Sequence, residues 1–202
     1  MWPAITIAVC LLVLLVIGAG VPLVRVYRAV QHLKSGDEGM RLWGARDLRF
    51  YGKYGLRPRA AIPLLIKGLG TTCFGTEYEF LEALANYGPA AKAAIPEILW
   101  YVRSGIGECA GHSNNANAAI RALAKMGEKA KAAVPLLLEV YRTTNAWTVK
   151  AGAAIALEKI DPEAAARMGD WRSAVAESLP QITDAHLEQV AQRLREDNDT
   201  NY

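Results

Sequence analysis

The alternation of apolar, small and polar residues repeats along the chain. Three segments share one arrangement, in which a helix-forming stretch ends in Gly, an Ala-containing run follows, and Pro then opens a new apolar stretch. They are YGLRPRAAIPLLI at 54–66, YGPAAKAAIPEIL at 87–99 and MGEKAKAAVPLLL at 126–138. A fourth helix ending, ALEKID at 156–161, runs directly into Pro162. Pairs of helices that recur in this way predict a solenoid of stacked repeats.

Glycine and proline predict where the helices of each pair end and begin. The residues that close the first helices are Gly55, Gly88 and Gly127, with Asp161 in the fourth place. Proline disrupts a helix interior but is tolerated at the first position of a helix. We therefore expect the second helices to start near Pro63, Pro96 and Pro135, after a short turn. The longer spacing between the second and third units predicts a turn-rich insertion at 104–115, SGIGECAGHSNN.

Aligning the second helices on their prolines separates core from surface. The positions two, three and six residues after Pro are apolar in all three units, so they are predicted to face the core. The position four residues after Pro is mixed, and we expect it on the outer face. Its three occupants are Lys67, Trp100 and Glu139.

The first part of the chain has a different character. Residues 4–24 contain no charged side chain and would reach about 30 Å as a helix, enough to cross a bilayer. Basic residues follow this stretch and none precedes it, which favours an uncleaved anchor with the repeat domain in the cytoplasm. The alternative is an extracytoplasmic domain, or a secreted one released after signal cleavage at Gly18-Ala19-Gly20.

The predicted fold class is therefore all-α. It is a right-handed α-solenoid of about four helical pairs with C-terminal capping helices, preceded by one transmembrane helix. The expected segments are a short tail, the transmembrane helix, a membrane-proximal helix and linker, the repeats, the capping helices and a polar tail. In that order they cover residues 1–3, 4–24, 25–39, 40–165, 166–196 and 197–202.

The repeated units resemble a known family. The stretches ALAKMGEKAKAAVPLLLEV and TVKAGAAIALEKIDPEA, at 122–140 and 148–164, look like HEAT repeats of the bacterial type that is also found in phycobilin lyases. The resemblance covers about residues 40–165. It implies a HEAT-like fold and little about activity, because HEAT arrays serve as scaffolds, carriers and a few enzymes. The first helix of the first unit is irregular, and the fourth unit lacks the Ala-Ala-Ile-Pro turn.

Two sets of exposed residues are candidates for partner binding. Trp100, with Tyr101 beside it, occupies a column that neighbouring units fill with charged residues, and aromatic side chains are favoured anchors in interfaces. The alternative is that Trp100 covers the predicted insertion. A basic residue also recurs four positions before each proline, as Arg59, Lys92 and Lys131. This row could bind an acidic partner, or it could simply be a solvated edge of the repeats.

Other chemistry finds less support in the sequence. Cys73 and Cys109 follow the second helices of adjacent units and could form a disulfide if the domain were extracytoplasmic. We expect no metal site and no cofactor, because the Cys and His residues do not supply the three or four ligands that zinc requires. Acidic residues such as Glu77, Glu79 and Glu82 are expected on a solvated helix surface, and no catalytic motif is present.

These observations lead to one functional hypothesis and one alternative. The first is a membrane-anchored, non-catalytic HEAT-repeat scaffold that binds a protein partner. The alternative is a lyase-like or chaperone-like HEAT protein that holds a chromophore or another small molecule. The net charge of +3 disfavours nucleic acid as the partner.

Overall fold

A computed structural model describes residues 21–70, 76–104 and 110–173, and the regular structure within those ranges is all helical. The α-helices are α1 (21–33), α2 (Glu38–Gly52), α3 (Ala61–Leu69), α4 (Glu77–Tyr87), α5 (Ile95–Ser104), α6 (Ala110–Met126), α7 (Val134–Thr143), α8 (Trp147–Ile160) and α9 (Pro162–Ala166). Two 3-10 segments, Gly88–Ala94 and Gly127–Ala133, join α4 to α5 and α6 to α7. The arrangement is consistent with an α-solenoid.

The helix pairs follow the predicted repeats. The first helices are α2, α4, α6 and α8, and the second helices are α3, α5, α7 and α9. Pro96 and Pro135 are the second residues of α5 and α7, and Pro63 is the third residue of α3, which confirms their placement near helix starts. The Ala-rich runs before Pro96 and Pro135 form the 3-10 segments rather than simple turns, with buried Ala91, Ala94, Ala130 and Ala133. Before Pro63, residues 59–60 form the expected short turn.

Glycine closes α4 and α6 because the backbone there enters a region that side chains disfavour. Helix α2 instead ends at Gly52, three residues before the predicted Gly55. Gly88 and Gly127 have φ values of 54° and 57°. Asp161 serves the fourth unit differently: its backbone is extended, and its carboxylate accepts a hydrogen bond from the Ala164 amide at 3.1 Å. Asp161 is thus the N-cap of α9, and Pro162 stands at the start of that helix.

The core lies between the two rows of helices. In the second helices, the residues two positions after each proline, Leu65, Ile98 and Leu137, are fully buried as predicted. The first helix α6 buries its apolar stripe of Ala119, Ile120, Leu123 and Met126 against the same core. Small side chains let the helices approach closely. Gly68 is an example, because a Cβ there would clash with the buried ring of Phe80.

The N-terminal region differs from the sequence-based expectation. Within residues 21–70, 76–104 and 110–173, no helix is long and apolar enough to cross a membrane. This finding contradicts the predicted localisation as a single-pass membrane protein with a cytoplasmic repeat domain, and the predicted membrane contact is withdrawn with it. Residues 1–20, which hold most of the predicted span, lie outside the described residues.

Helix α1 packs on the repeats. It carries Arg25 and Arg28 on its exposed side and buries Val26, Ala29 and Leu33. Gly44 of α2 lies so close to α1 that a Cβ added there would stand 2.6 Å from the Ala29 carbonyl oxygen. The segment 25–39, expected to lie at a membrane surface, therefore contains a helix that contributes to the core.

The predicted insertion at 104–115 is also corrected. Helix α6 begins at Ala110, so the second half of that stretch is helical. The sequence suggested a loop because Ser and Asn often compete with helix backbone hydrogen bonds. The side-chain amide of Asn115 instead donates a hydrogen bond to the carboxylate of Glu77 in the neighbouring helix α4, at 3.2 Å. Residues 105–109 lie outside the described residues, as do residues 174–202, which hold most of the predicted capping helices and the polar tail.

Candidate functional site

Trp100 lies on the outer side of α5 and is 60% exposed. Its ring meets that of Tyr101 edge-on, with the ring centroids 4.9 Å apart. Lys67 and Glu139, which occupy the same column in α3 and α7, are also exposed. Trp100 is therefore a solvent-facing aromatic residue on a face that is otherwise charged at this position.

Tyr101 does not share that exposure. Only 7% of its surface is accessible, and its hydroxyl donates a hydrogen bond to the Leu69 carbonyl oxygen at the end of α3. Burial, assisted by the negative charge of Glu77, raises the pKa of Tyr101 to about 12. The side chain connects α5 to the end of α3, and the role of Tyr101 in partner binding stays a prediction.

The predicted basic row occupies the connections between first and second helices. Arg59 precedes α3, and Lys92 and Lys131 lie in the two 3-10 segments, with all three exposed. Among the described residues, no hydrogen bond, ion pair or ring contact joins these cations to Trp100. The row and Trp100 are thus separate features.

The cysteine prediction lies outside the described residues, because Cys73 and Cys109 fall in 71–75 and 105–109. In the part of the chain that the structure describes, no group of three or more His, Cys, Asp or Glu side chains could hold a metal ion.

The exposed sides of the first helices carry a ladder of polar contacts. Arg49 of α2 pairs with Glu79 of α4 at 2.9 Å, and Arg121 of α6 pairs with Glu82 of α4 at 2.7 Å. The Tyr78 ring lies between the two guanidinium groups, whose central carbons are 5.6 Å and 6.0 Å from its centroid. Glu79 and Glu82 therefore form ion pairs with neighbouring helices, whereas the sequence predicted that they would lie on a solvated helix surface.

Asn86 extends the ladder toward the ends of these helices. Its amide nitrogen donates to the Arg49 carbonyl oxygen at 2.8 Å, and its amide oxygen accepts from the Lys125 ammonium at 3.2 Å. Lys125 thus has one neutral partner and keeps further donors, since an ammonium group has three N–H bonds.

The polar contacts that join α2, α4 and α6 do not continue in the same way between α6 and α8. Aligning the first helices on Gly88, Gly127 and Asp161 puts Ile155 in the column of Glu82 and Arg121. No acid of α8 therefore faces Arg121 at this position, and a groove of about 530 Å³ lies between the two helices. We call it the α6–α8 groove. It is lined by Asn117, Ile120, Arg121, Ala124, Lys125, Trp147, Thr148, Ala151, Gly152, Ile155 and Lys159.

The α6–α8 groove combines exposed apolar surface with positive charge. Trp147 and Ile155 are 40% and 45% exposed, and the small residues Ala151 and Gly152 of α8 lie between them. Arg121, Lys125 and Lys159 are the charged residues of the lining, which contains no Asp or Glu. This site is a concave surface with two large apolar side chains and an unbalanced positive charge.

The two helices of the groove run parallel and in register. At their N-terminal parts, the Asn117 amide lies 3.4 Å from the Thr148 hydroxyl. At their C-terminal ends, a Cβ on Gly127 would lie 3.9 Å from the Lys159 carbonyl oxygen. Trp147 therefore lies at one end of the groove, and Lys125 and Lys159 lie together at the other.

Sequence reasoning missed this groove, although one signal for it was present. The same alignment that ordered the second helices also orders the first helices, where an apolar Ile155 replaces the charges of Glu82 and Arg121. An apolar residue in an otherwise charged column is the signal that singled out Trp100 on the opposite row.

One comparison with known proteins identifies the kind of repeat. Residues 117–143, which include the last part of α6, the second 3-10 segment and α7, match the family described as PBS lyase HEAT-like repeat. The chain therefore contains a HEAT-like repeat and is a helical repeat protein. No curated protein and no solved structure matches the chain.

Proposed function

We propose that this protein is a non-catalytic scaffold, built as a right-handed HEAT-like α-solenoid, that binds a protein partner in the α6–α8 groove. Stacked helical repeats offer extended surfaces, and protein binding is a common use of such surfaces. The observation that carries the proposal is the exposure of Trp147 and Ile155 on either side of a small-residue floor. Large apolar side chains around a concave site are typical anchors for a partner.

The polar ladder supports the choice of this groove over the rest of the first-helix row. Between α2, α4 and α6, Arg49 and Arg121 are paired with Glu79 and Glu82. Between α6 and α8, apolar surface is exposed, and the ammonium groups of Lys125 and Lys159 have no carboxylate partner in the groove lining. Trp100 and the basic row are a second region that a large partner could contact.

The groove favours a scaffold over the lyase-like alternative. A site that holds and modifies a small molecule needs a convergent acid or base near its aromatic wall. The lining of the α6–α8 groove supplies cations, amides and hydroxyls, but no carboxylate.

The test compares two tryptophan variants of the full chain. Proteins captured by the wild type are quantified alongside those captured by Trp147→Ala and by Trp43→Ala, which removes an exposed tryptophan of α2 outside both proposed contact regions. We expect a specific partner whose capture falls about tenfold or more with Trp147→Ala and remains with Trp43→Ala. Thermal unfolding of each variant checks that the fold is intact. Retention of the same partners by a folded Trp147→Ala variant would overturn the proposed site.

A further inference from the structure

We infer that the segment bound in the α6–α8 groove is an acidic amphipathic peptide, with an apolar side chain beside Trp147 and Ile155 and carboxylates beside Lys125 and Lys159. The inference rests on the proposed function. It adds the chemistry of the partner and the order of its apolar and acidic groups along the groove. Its basis is the separation of apolar and basic residues along the groove.

The apolar part of the groove specifies one half of the partner. Trp147, Ala151 and Ile155 are spaced by four residues, so they follow one side of α8. The floor between Trp147 and Ile155 is formed by the small residues Ala151 and Gly152 of α8. A branched or aromatic side chain that enters this space buries apolar surface against Trp147 and Ile155.

The basic residues of the groove determine the acidic part of the partner. Lys125 and Lys159 lie in the last turns of α6 and α8. No acidic side chain of the described residues forms an ion pair with either of them. Carboxylates of a partner would meet these two ammonium groups, since the Lys125 ammonium keeps further donors besides its hydrogen bond to Asn86 of α4. Arg121 is already paired with Glu82. The apolar floor would lower the local dielectric and strengthen the attraction.

The length of the groove sets the size of the peptide. Lys159 lies twelve positions after Trp147 in α8, which corresponds to about 18 Å along the helix. An extended peptide covers that distance with about six residues. The apolar and acidic groups of the partner should therefore be separated by several residues.

A peptide fits these residues better than a single-stranded nucleic acid. Both would bring negative charge, and bases could stack on Trp147. The groove, however, has an aliphatic wall at Ile155 and a floor of Ala and Gly, which suit an apolar side chain. The whole chain carries a net charge of only +3, which gives little non-specific attraction for a phosphate backbone.

The experiment selects random twelve-residue peptides on the full chain and measures the affinities of the enriched sequences by fluorescence polarisation. We expect enrichment of peptides with Leu, Ile or Phe and several Asp or Glu residues. Replacing the acids of a selected peptide by amides should weaken binding about tenfold or more. The double variant Lys125→Glu/Lys159→Glu should weaken it at least as much.

The double variant Lys34→Glu/Lys53→Glu is the matched control, because it changes the net charge equally at exposed lysines outside the groove and outside the basic row. Equal loss of binding in both double variants would show that net charge alone attracts the peptide, and would overturn the inference. Enrichment without acidic residues, or tighter binding of a single-stranded oligonucleotide through the same lysines, would overturn it as well. If binding of the protein partner still requires Trp147 but not these lysines, the proposed function is retained and only the inference of an acidic peptide is rejected.

Discussion

Burial decides the roles of several polar residues in this protein. Glu77, at the start of α4, and Asn115, in α6, are both buried, and the hydrogen bond between them joins two adjacent first helices. Tyr101 and Tyr87 bond backbone carbonyls of the preceding unit, at Leu69 and Pro58. Polar side chains with such partners connect neighbouring repeats, and removing one partner leaves the other buried without its hydrogen bond.

The two buried tyrosines predict a loss of stability at high pH. Burial raises the pKa of both Tyr87 and Tyr101 from the ordinary value of 10.0 to about 12, against an opposing effect of Arg57 at Tyr87. From pH 10.0 to about 12, the folded chain keeps protons that the unfolded chain has released. The free energy of unfolding should therefore be retained below pH 10 and should fall as the pH rises toward 12.

Urea unfolding at about pH 9 and about pH 11 measures this effect. The double variant Tyr87→Phe/Tyr101→Phe should be less stable at the lower pH, because it lacks two hydrogen bonds, but should lose less stability between the two pH values. Tyr54→Phe is the control, since Tyr54 is largely exposed. An unchanged pH dependence in the double variant would contradict the assignment.

At the scale of the element, the glycines that end the first helices predict a graded response to substitution. Gly88→Ala should destabilise the protein by about 1–3 kcal/mol, because Gly88 has a positive φ and ψ of −132°, a conformation that suits glycine almost exclusively. An added Cβ would also lie 3.1 Å from the Lys125 carbonyl oxygen. Gly127→Ala should cost less, because the nearest atom to its Cβ is 3.9 Å away.

Thermal or urea unfolding of the purified variants measures these costs. Gly36→Ala provides the reference, because no atom lies within 4 Å of a Cβ at that glycine and its φ is not positive. We expect the order of stability Gly36→Ala, then Gly127→Ala, then Gly88→Ala, from highest to lowest. A Gly88→Ala variant as stable as the wild type would contradict the role given to this helix end.

The same elements show which parts of the fold the sequence could predict. Helix ends marked by Gly88, Gly127 and Pro96 follow from local backbone requirements, so their positions were predictable. The burial of Glu77 and Asn115 was not, because it depends on which residues of neighbouring helices stand side by side. The α6–α8 groove has the same origin, since it arises from the pairing of Ile155 with Arg121 across two units.

At the scale of the whole molecule, charge is distributed unevenly over the row of first helices. Glu79 and Glu82 of α4 balance Arg49 and Arg121 on either side. The next helix, α8, supplies no acid to the groove, so positive charge accumulates between α6 and α8 although the net charge of the chain is small. A local excess of one charge can orient and attract a partner of opposite sign.

This distribution predicts that a loss of negative charge outside the groove strengthens binding inside it. Glu82→Gln should raise the affinity for an acidic peptide about twofold at low salt, because it removes a repulsive charge and releases Arg121 from its ion pair. The gain should shrink as salt screens the interaction. The cost in stability should be about 0.2–1 kcal/mol, since the Arg121 side chain is 49% exposed.

Glu97→Gln is the matched control, because Glu97 is an exposed acid of the second-helix row. Polarisation titrations with one selected peptide at two salt concentrations measure both variants. Weaker binding to Glu82→Gln than to the wild type would mean that the ion pair holds Arg121 in its binding position, and would contradict the view that α4 only balances its charge.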